Sequence, residues 1–185
     1  MAGSATREPI SDLPAAELVR RLAPLFEGAP GFLFRLAAAG PFESTDAMFE
    51  RARELAHLMP EPLQVELIDA HPRLGAPPGS LSPMSFREQG SHGEAAADEP
   101  AERERLRIAA ELEGLNAAYE ARFGFRYCVF VAGRARPELI PEFEAALNRE
   151  RGEELRRALD AVVDIAIDRH RDAAGPPRPS GTVSP

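Results

Sequence analysis

Lysine is missing altogether: all 22 formally cationic side chains of this 185-residue chain are arginines. That removes Schiff-base chemistry and leaves the planar guanidinium as the permanent cation available to grip an anion. A single cysteine, Cys128, excludes an internal disulfide and fits a reducing cytoplasm. It stands in the most apolar run of the chain, which reads as a buried structural thiol rather than a nucleophile. No run approaches the ~18 apolar residues of a membrane span, and the N-terminus lacks the charged start and apolar core of a secretory signal. The net charge of −8 leaves no basic excess for phosphate backbones, so nucleic acid is not expected as a partner. His57, His71, His92 and His170 form no His-Glu-x-x-His pattern and join no cysteine cluster, so no metal site is predicted. A Walker glycine loop, a Gly-x-Gly-x-x-Gly turn and a Gly-x-Ser-x-Gly elbow are absent as well, and no cofactor is expected.

What is present is a globular composition, 44% hydrophobic and 28% charged, of a length that suits one domain with a real core. Apolar residues recur at helical spacing in most segments. Leu18, Leu22, Leu25 and Phe26 mark a first helix, and a short apolar one follows from Phe32 to Ala39. Ser44 is a good N-cap for a helix running to about Met59. Pro62 opens one that ends at His71, with Leu63, Leu67 and Ile68 turned inward. Pro100 suits the first turn of a long helix through Arg122, with Leu106, Ala110, Leu112 and Leu115 facing the core. A helix from Pro137 to about Arg149 follows, Gly152 interrupts, and Glu153 to Arg171 carries Leu155, Leu159, Val162, Val163 and Ala166 on one stripe. The pattern predicts an all-α, single-domain bundle of about seven or eight helices over residues 13–171. Residues 1–12 read as a flexible leader and 172–185 as a disordered tail.

Two stretches break the helical pattern. In the first, Leu67 to Gly90, an apolar helix end delivers His71 directly before Pro72, which no helix continues through. His71 is therefore expected at a helix C-terminus, where the macrodipole favours the protonated imidazole. After a Pro/Gly-rich loop comes Ser85-Phe86-Arg87-Glu88-Gln89. Together these form either a helix stop and a capping box or an acid–base site. The second stretch, Phe123 to Gly133, is the strongly β-prone run. A lone strand has unpaired backbone groups when buried. It either coils into an apolar helix turn or stays extended and uses its amides and carbonyls to hold a ligand. Arg169, near the end of the last helix, is either a cation on the helix dipole or an anion grip.

In order and spacing, Ala70-His71-Pro72, Ser85 to Gln89, Leu115-Asn116-Ala-Ala-Tyr119, Phe123-Gly124-Phe125 and Ile165-Ala-Ile-Asp-Arg169 resemble the decarboxylases of 2-oxo-4-hydroxy-4-carboxy-5-ureidoimidazoline (OHCU). These act at the last step from uric acid to allantoin. The resemblance covers about Leu13 to Arg171. It implies an all-α, cofactor-free homodimer acting on a small ureidoimidazoline. It also implies His71 as catalytic acid–base group, Glu88 as its partner carboxylate or a grip on ureido N–H groups, and Arg169 as the substrate-binding cation. Pro72, Ser85, Phe86, Arg87, Glu88, Gln89, Tyr127, Cys128, Val129, Phe130 and Val131 match the substrate-contacting positions, with one extended segment lining the site. Many members carry Asp where this chain has Arg73, and Pro-Phe where it has Arg126-Tyr127. The usual Ala-Gly-Leu after Gln89 is also missing. The alternatives are a decarboxylase of a related heterocycle, or a non-catalytic bundle binding a ureide or a protein.

Overall fold

The last helix and the two elements it covers set the frame. The computed structural model describes residues 13–89 and 99–174. The expected leader, the segment 90–98 and the tail beyond 174 lie outside the described residues. The described chain forms eight α-helices and no strand: α1 (Ala15–Leu22), α2 (Pro30–Ala38), α3 (Thr45–Leu58), α4 (Glu61–Asp69), α5 (Pro83–Glu88), α6 (Glu99–Phe123), α7 (Arg136–Ala146) and α8 (Arg151–Ala174). α8 packs on α3 and α4, α2 is wedged against α1, α3 and α4, and α6 runs beside α7. Leu159, Val162, Val163 and Ala166 of α8 are fully buried. Each branched side chain so enclosed contributes about 1.5–3 kcal/mol of transfer free energy.

Local signals explain most boundaries. The Ser44 hydroxyl accepts the Ala47 amide at 3.0 Å and starts α3. Pro30, Pro62 and Pro83 sit in the first turns of α2, α4 and α5, where a missing N–H costs nothing. Gly152 does not interrupt as expected. It lies in the first turn of α8, where amides have no intrahelical acceptor to lose. The same helix continues through Ala174, so Asp172 is still helical. The outer half of α6 is also a correction: Leu106 is 59% exposed and Ala110 is exposed, because among the described residues no helix covers that stretch as α7 covers the inner half. Leu112 is buried as expected. Among the described residues no helix is long and apolar enough to cross a membrane.

Residues 126–131 are extended. The missing partner strand is replaced by arginines. Arg157 donates to the Cys128 carbonyl at 2.9 Å, and Arg134 donates to those of Phe130 (2.7 Å) and Val131 (3.1 Å). Side-chain cations thus satisfy carbonyls that a β-ladder would otherwise pair. Tyr127 stacks on Phe143 with centroids 3.7 Å apart, and Tyr119 packs edge-on to both rings. This aromatic block fixes the segment against α6 and α7.

Candidate active site

Pro72 stops α4, and the chain turns so that the His71 amide donates to Ile68 O at 3.0 Å. The imidazole points inward and is only 4% exposed. Its Nδ1 lies 3.3 Å from the Leu67 carbonyl. A carbonyl only accepts, so Nδ1 carries the proton and Nε2 is a bare acceptor. Nε2 is buried without a hydrogen-bond partner among the described residues. Burial pushes the His71 pKa down to about 4, helped by the charge of Arg169 and opposed by Glu27 and the Leu67 carbonyl. The expectation of an imidazole held charged by the helix dipole is thereby corrected. Loss of water and a nearby guanidinium outweigh a terminal dipole effect of about 0.3–1 kcal/mol.

The loop after His71 is tied on three sides. Arg126 Nη1 donates to the carbonyls of Asp69 (2.7 Å) and His71 (3.0 Å). Asn116 Nδ2 donates to Leu74 O at 2.9 Å, linking the loop to α6. Gln89 spans it, accepting from the Gly75 amide (2.9 Å) and donating to Arg73 O (3.1 Å). Arg73 itself forks onto Glu120 at 2.7 and 2.5 Å. The two arginines that depart from the family pattern therefore brace the loop, and neither lines the cavity described below. Gly75 has φ +82°, and a Cβ there would meet Leu112 Cδ1 at 2.9 Å. Gly75→Ala is expected to destabilise the protein by roughly 1–3 kcal/mol through strain and overpacking. Urea unfolding checks this, with an unchanged midpoint as the contrary result.

α5 presents the acidic side. Its N-cap is Ser82, whose Oγ accepts the Ser85 amide at 3.1 Å, so Ser85 is not the capping residue. One turn of helix puts Ser85, Glu88 and Gln89 on the inner face. Phe86, a further 100° round, points outward, is 41% exposed and does not line the cavity. Its expected substrate contact is corrected for that reason.

A cavity of about 920 Å³ opens between α5, the end of α8 and the extended segment. His71, Pro72, Ser85, Arg87, Glu88, Gln89, Tyr127, Cys128, Val129, Phe130, Val131 and Arg169 all line it, so the three expected catalytic side chains face one cavity. Burial pushes the Cys128 thiol up to about 12, which leaves it protonated and inert. Among the described residues no group of three His, Cys, Asp or Glu side chains is arranged to hold a metal ion.

Arg169 is 3% exposed and saturated. Nε and Nη2 take the two Glu88 carboxylate oxygens at 2.5 and 2.8 Å, and Nη2 also reaches Ser85 Oγ at 3.0 Å. Nη1 donates to the carbonyls of Pro24 (3.1 Å) and Leu25 (3.2 Å). Glu88 is thus paired with Arg169, and no contact with His71 is seen. The acid nearest in effect to His71 is one the sequence did not single out, Glu27. It accepts from Ser85 Oγ at 2.6 Å and Ser82 Oγ at 2.9 Å and pairs with Arg169 at 2.8 Å.

A helical frame that buries a neutral imidazole beside a guanidinium and a carboxylate has the groups to bind a small polar anion and move a proton on it. The family model for OHCU decarboxylase matches residues 11–171, and the chain belongs to that family. The "Uric acid degradation bifunctional protein PucL" of Bacillus subtilis is 28% identical over 167 residues, 90% of this chain. The chain spans about a third of the length of that protein and of a second Bacillus relative. The 2-oxo-4-hydroxy-4-carboxy-5-ureidoimidazoline decarboxylase of Halalkalicoccus jeotgali is 26% identical over 176 residues, covering 92% of this chain and 94% of its own. An OHCU decarboxylase crystallised in the presence of (S)-allantoin shares the fold, with a TM-score of 0.62 at 20% identity over 83% of this chain and 96% of its own. An (S)-allantoin synthase shares it too, at TM-score 0.58 and 16% identity over 86% of this chain and 50% of its own.

Proposed function

We propose that the chain decarboxylates 2-oxo-4-hydroxy-4-carboxy-5-ureidoimidazoline to (S)-allantoin and CO₂ in uric acid degradation, without a cofactor. One observation carries the mechanism: the buried Nε2 of a neutral His71, without a partner among the described residues, in the same cavity as Arg169 and Glu88. The substrate's carboxylate docks on the guanidinium, which orients the scissile bond. As the C–C bond to CO₂ breaks, its electron pair passes into the neighbouring ring unsaturation, whose nitrogen takes up one proton from solvent. Nε2 takes the proton of the ring hydroxyl, and the resulting imidazolium returns a proton to the adjacent ring carbon. A proton delivered from one side gives one enantiomer. Glu88, once off Arg169, accepts from the ureido N–H groups. A bundle that merely binds a ureide would give no reason to bury a basic nitrogen without a protein partner among the described residues.

The test is to generate the unstable urate oxidation product in situ and follow the chirality of the allantoin formed. Acceleration of (S)-allantoin over the spontaneous racemic reaction is expected, and an unchanged racemic course overturns the reading. The pH dependence has a definite sign. His71 must be neutral to act, and its pKa is about 4. The acid limb of kcat/KM attributable to His71 should therefore fall near pH 4 rather than near 6.5. A limb at 6.5 would assign the base elsewhere. The reading includes a homodimer in the cytoplasm; light scattering of the purified chain checks the dimer, and fractionation of the source cells checks the compartment.

A further inference from the structure

Glu27 has the marks of a residue held in place against local preference. It lies in the turn between α1 and α2 with φ +50°, left-handed for a residue that is not glycine. Such backbone persists only where its surroundings enforce it. Its side chain is 11% exposed and does not line the cavity. One carboxylate oxygen nevertheless joins three side chains: Ser82 at the N-cap of α5, Ser85 within it, and Arg169 on α8. Burial works against its charge, but the hydroxyl of Ser85, the guanidinium and the hydroxyl of Ser82 together hold its pKa below the ordinary value.

The partners of Arg169 fall into two sets. Pro24 O, Leu25 O and Glu27 come from the same turn behind the pocket. Glu88 lies on the cavity wall, is 25% exposed, and occupies the Nε/Nη2 edge as a side-on fork. That edge is the one a substrate carboxylate would take. We propose that Glu27 is a positioning residue, the counter-ion that stays on Arg169, whereas Glu88 is a placeholder that gives up the guanidinium edge to the substrate's carboxylate. The inference rests on the proposed function only for the identity of the arriving carboxylate. With Glu27 and two carbonyls holding the guanidinium from behind, Arg169 keeps its orientation when Glu88 leaves. Without Glu27 it follows Glu88, or turns to meet it.

Charge alone predicts the opposite sign, and that makes the idea testable. Arg169, Glu27 and Glu88 sum to −1, so neutralising either acid should favour an incoming anion if electrostatics were the whole account. The experiment uses the full chain and calorimetric titration with hydantoate, a stable ureido carboxylate, beside (S)-allantoin, which has the ureido group and no carboxylate. Glu88→Gln is expected to bind hydantoate more tightly, because the competing charge is gone from the guanidinium edge while the amide oxygen still accepts from the ureido N–H. Glu27→Gln is expected to bind it about tenfold more weakly, the worth of one charge-assisted hydrogen bond, with allantoin binding little changed. Glu27→Asp keeps the charge, tolerates the left-handed backbone better than most residues, and should fall between wild type and Glu27→Gln. It also serves as the working variant if Glu27→Gln does not fold. Equal or tighter hydantoate binding by Glu27→Gln, or by Glu27→Asp in its place, overturns the proposal. So does parallel loss of both ligands, or a wild type that binds no hydantoate. Each result is independent of turnover: a chain that exchanged hydantoate as described yet made no allantoin would refute the decarboxylase reading alone.

Discussion

His71→Asn should decarboxylate at least about a hundredfold more slowly than the wild type, since a positioned general acid or base is typically worth roughly 10²–10⁴-fold. Each tenfold corresponds to about 1.4 kcal/mol of barrier. Asparagine is chosen because its amide can still donate to the Leu67 carbonyl that Nδ1 meets at 3.3 Å, while nothing replaces Nε2. The lost ring atoms face a cavity rather than a packed core, so stability at neutral pH should change by no more than about 1 kcal/mol. An unreactive ureide should still bind. The allantoin that forms should be nearly racemic, since bulk water would supply the proton. Acid stability moves the other way. In the wild type the unfolded His71 titrates near 6.5 and the folded one near 4. As pH falls through that window the unfolded state takes up a proton that the folded state refuses, and stability is lost. An asparagine side chain does not titrate and has no such linkage, so the variant should hold its stability better than wild type around pH 5. Normal turnover with intact stereochemistry would reduce His71 to a helix stop.

How much of this was readable from residues alone depends on whether the signal was local. Pro72 after an apolar helix end placed His71 correctly, because a helix break is a property of adjacent residues. The 3.6-residue period likewise found the buried stripe of α8. The charge state of His71 was misread, since the dipole of its own helix is local while the burial and the Arg169 charge that override it are tertiary. Leu106 and Ala110 show the same limit: an apolar position on a long helix becomes core only where a second helix covers it. Arg157 on α8 reaches across to the Cys128 carbonyl, a contact that only the folded arrangement supplies. Glu27 was invisible for a further reason. A single glutamate before a glycine looks like an ordinary turn, and its partners lie on α5 and α8. The one local hint was a charge set between the buried Phe26 and Ala29.

Arg169 carries the second large effect, and the structure raises the stability cost expected from sequence alone. With charge the only consideration, lysine would be a mild substitute. Here the guanidinium uses both nitrogens of its fork on Glu88, shares Nη2 with Ser85 and Glu27, and caps the Pro24 and Leu25 carbonyls through Nη1. An ammonium has three donors at one point and cannot span that set. Arg169→Lys should therefore lose roughly 1.5–3 kcal/mol of stability, about one or two charge-assisted hydrogen bonds, together with substrate affinity and turnover. Arg169→Met should lose about 3–5 kcal/mol, the usual consequence of stripping the partner from a buried charge. The pH dependence separates this origin from a simple packing defect. Glu27 in the wild type titrates below the usual carboxylate range. Its contribution is therefore present above pH 4.5 and is lost as pH falls through the depressed value. In Arg169→Met the guanidinium's share of that contribution is already absent, so the deficit relative to wild type should stay level from neutral pH to about 4.5 and shrink from there toward pH 3. Urea unfolding of the three proteins across that range is the measurement. A deficit that stays constant with pH would mean that Arg169 acts there through packing, with its carboxylate partners energetically idle.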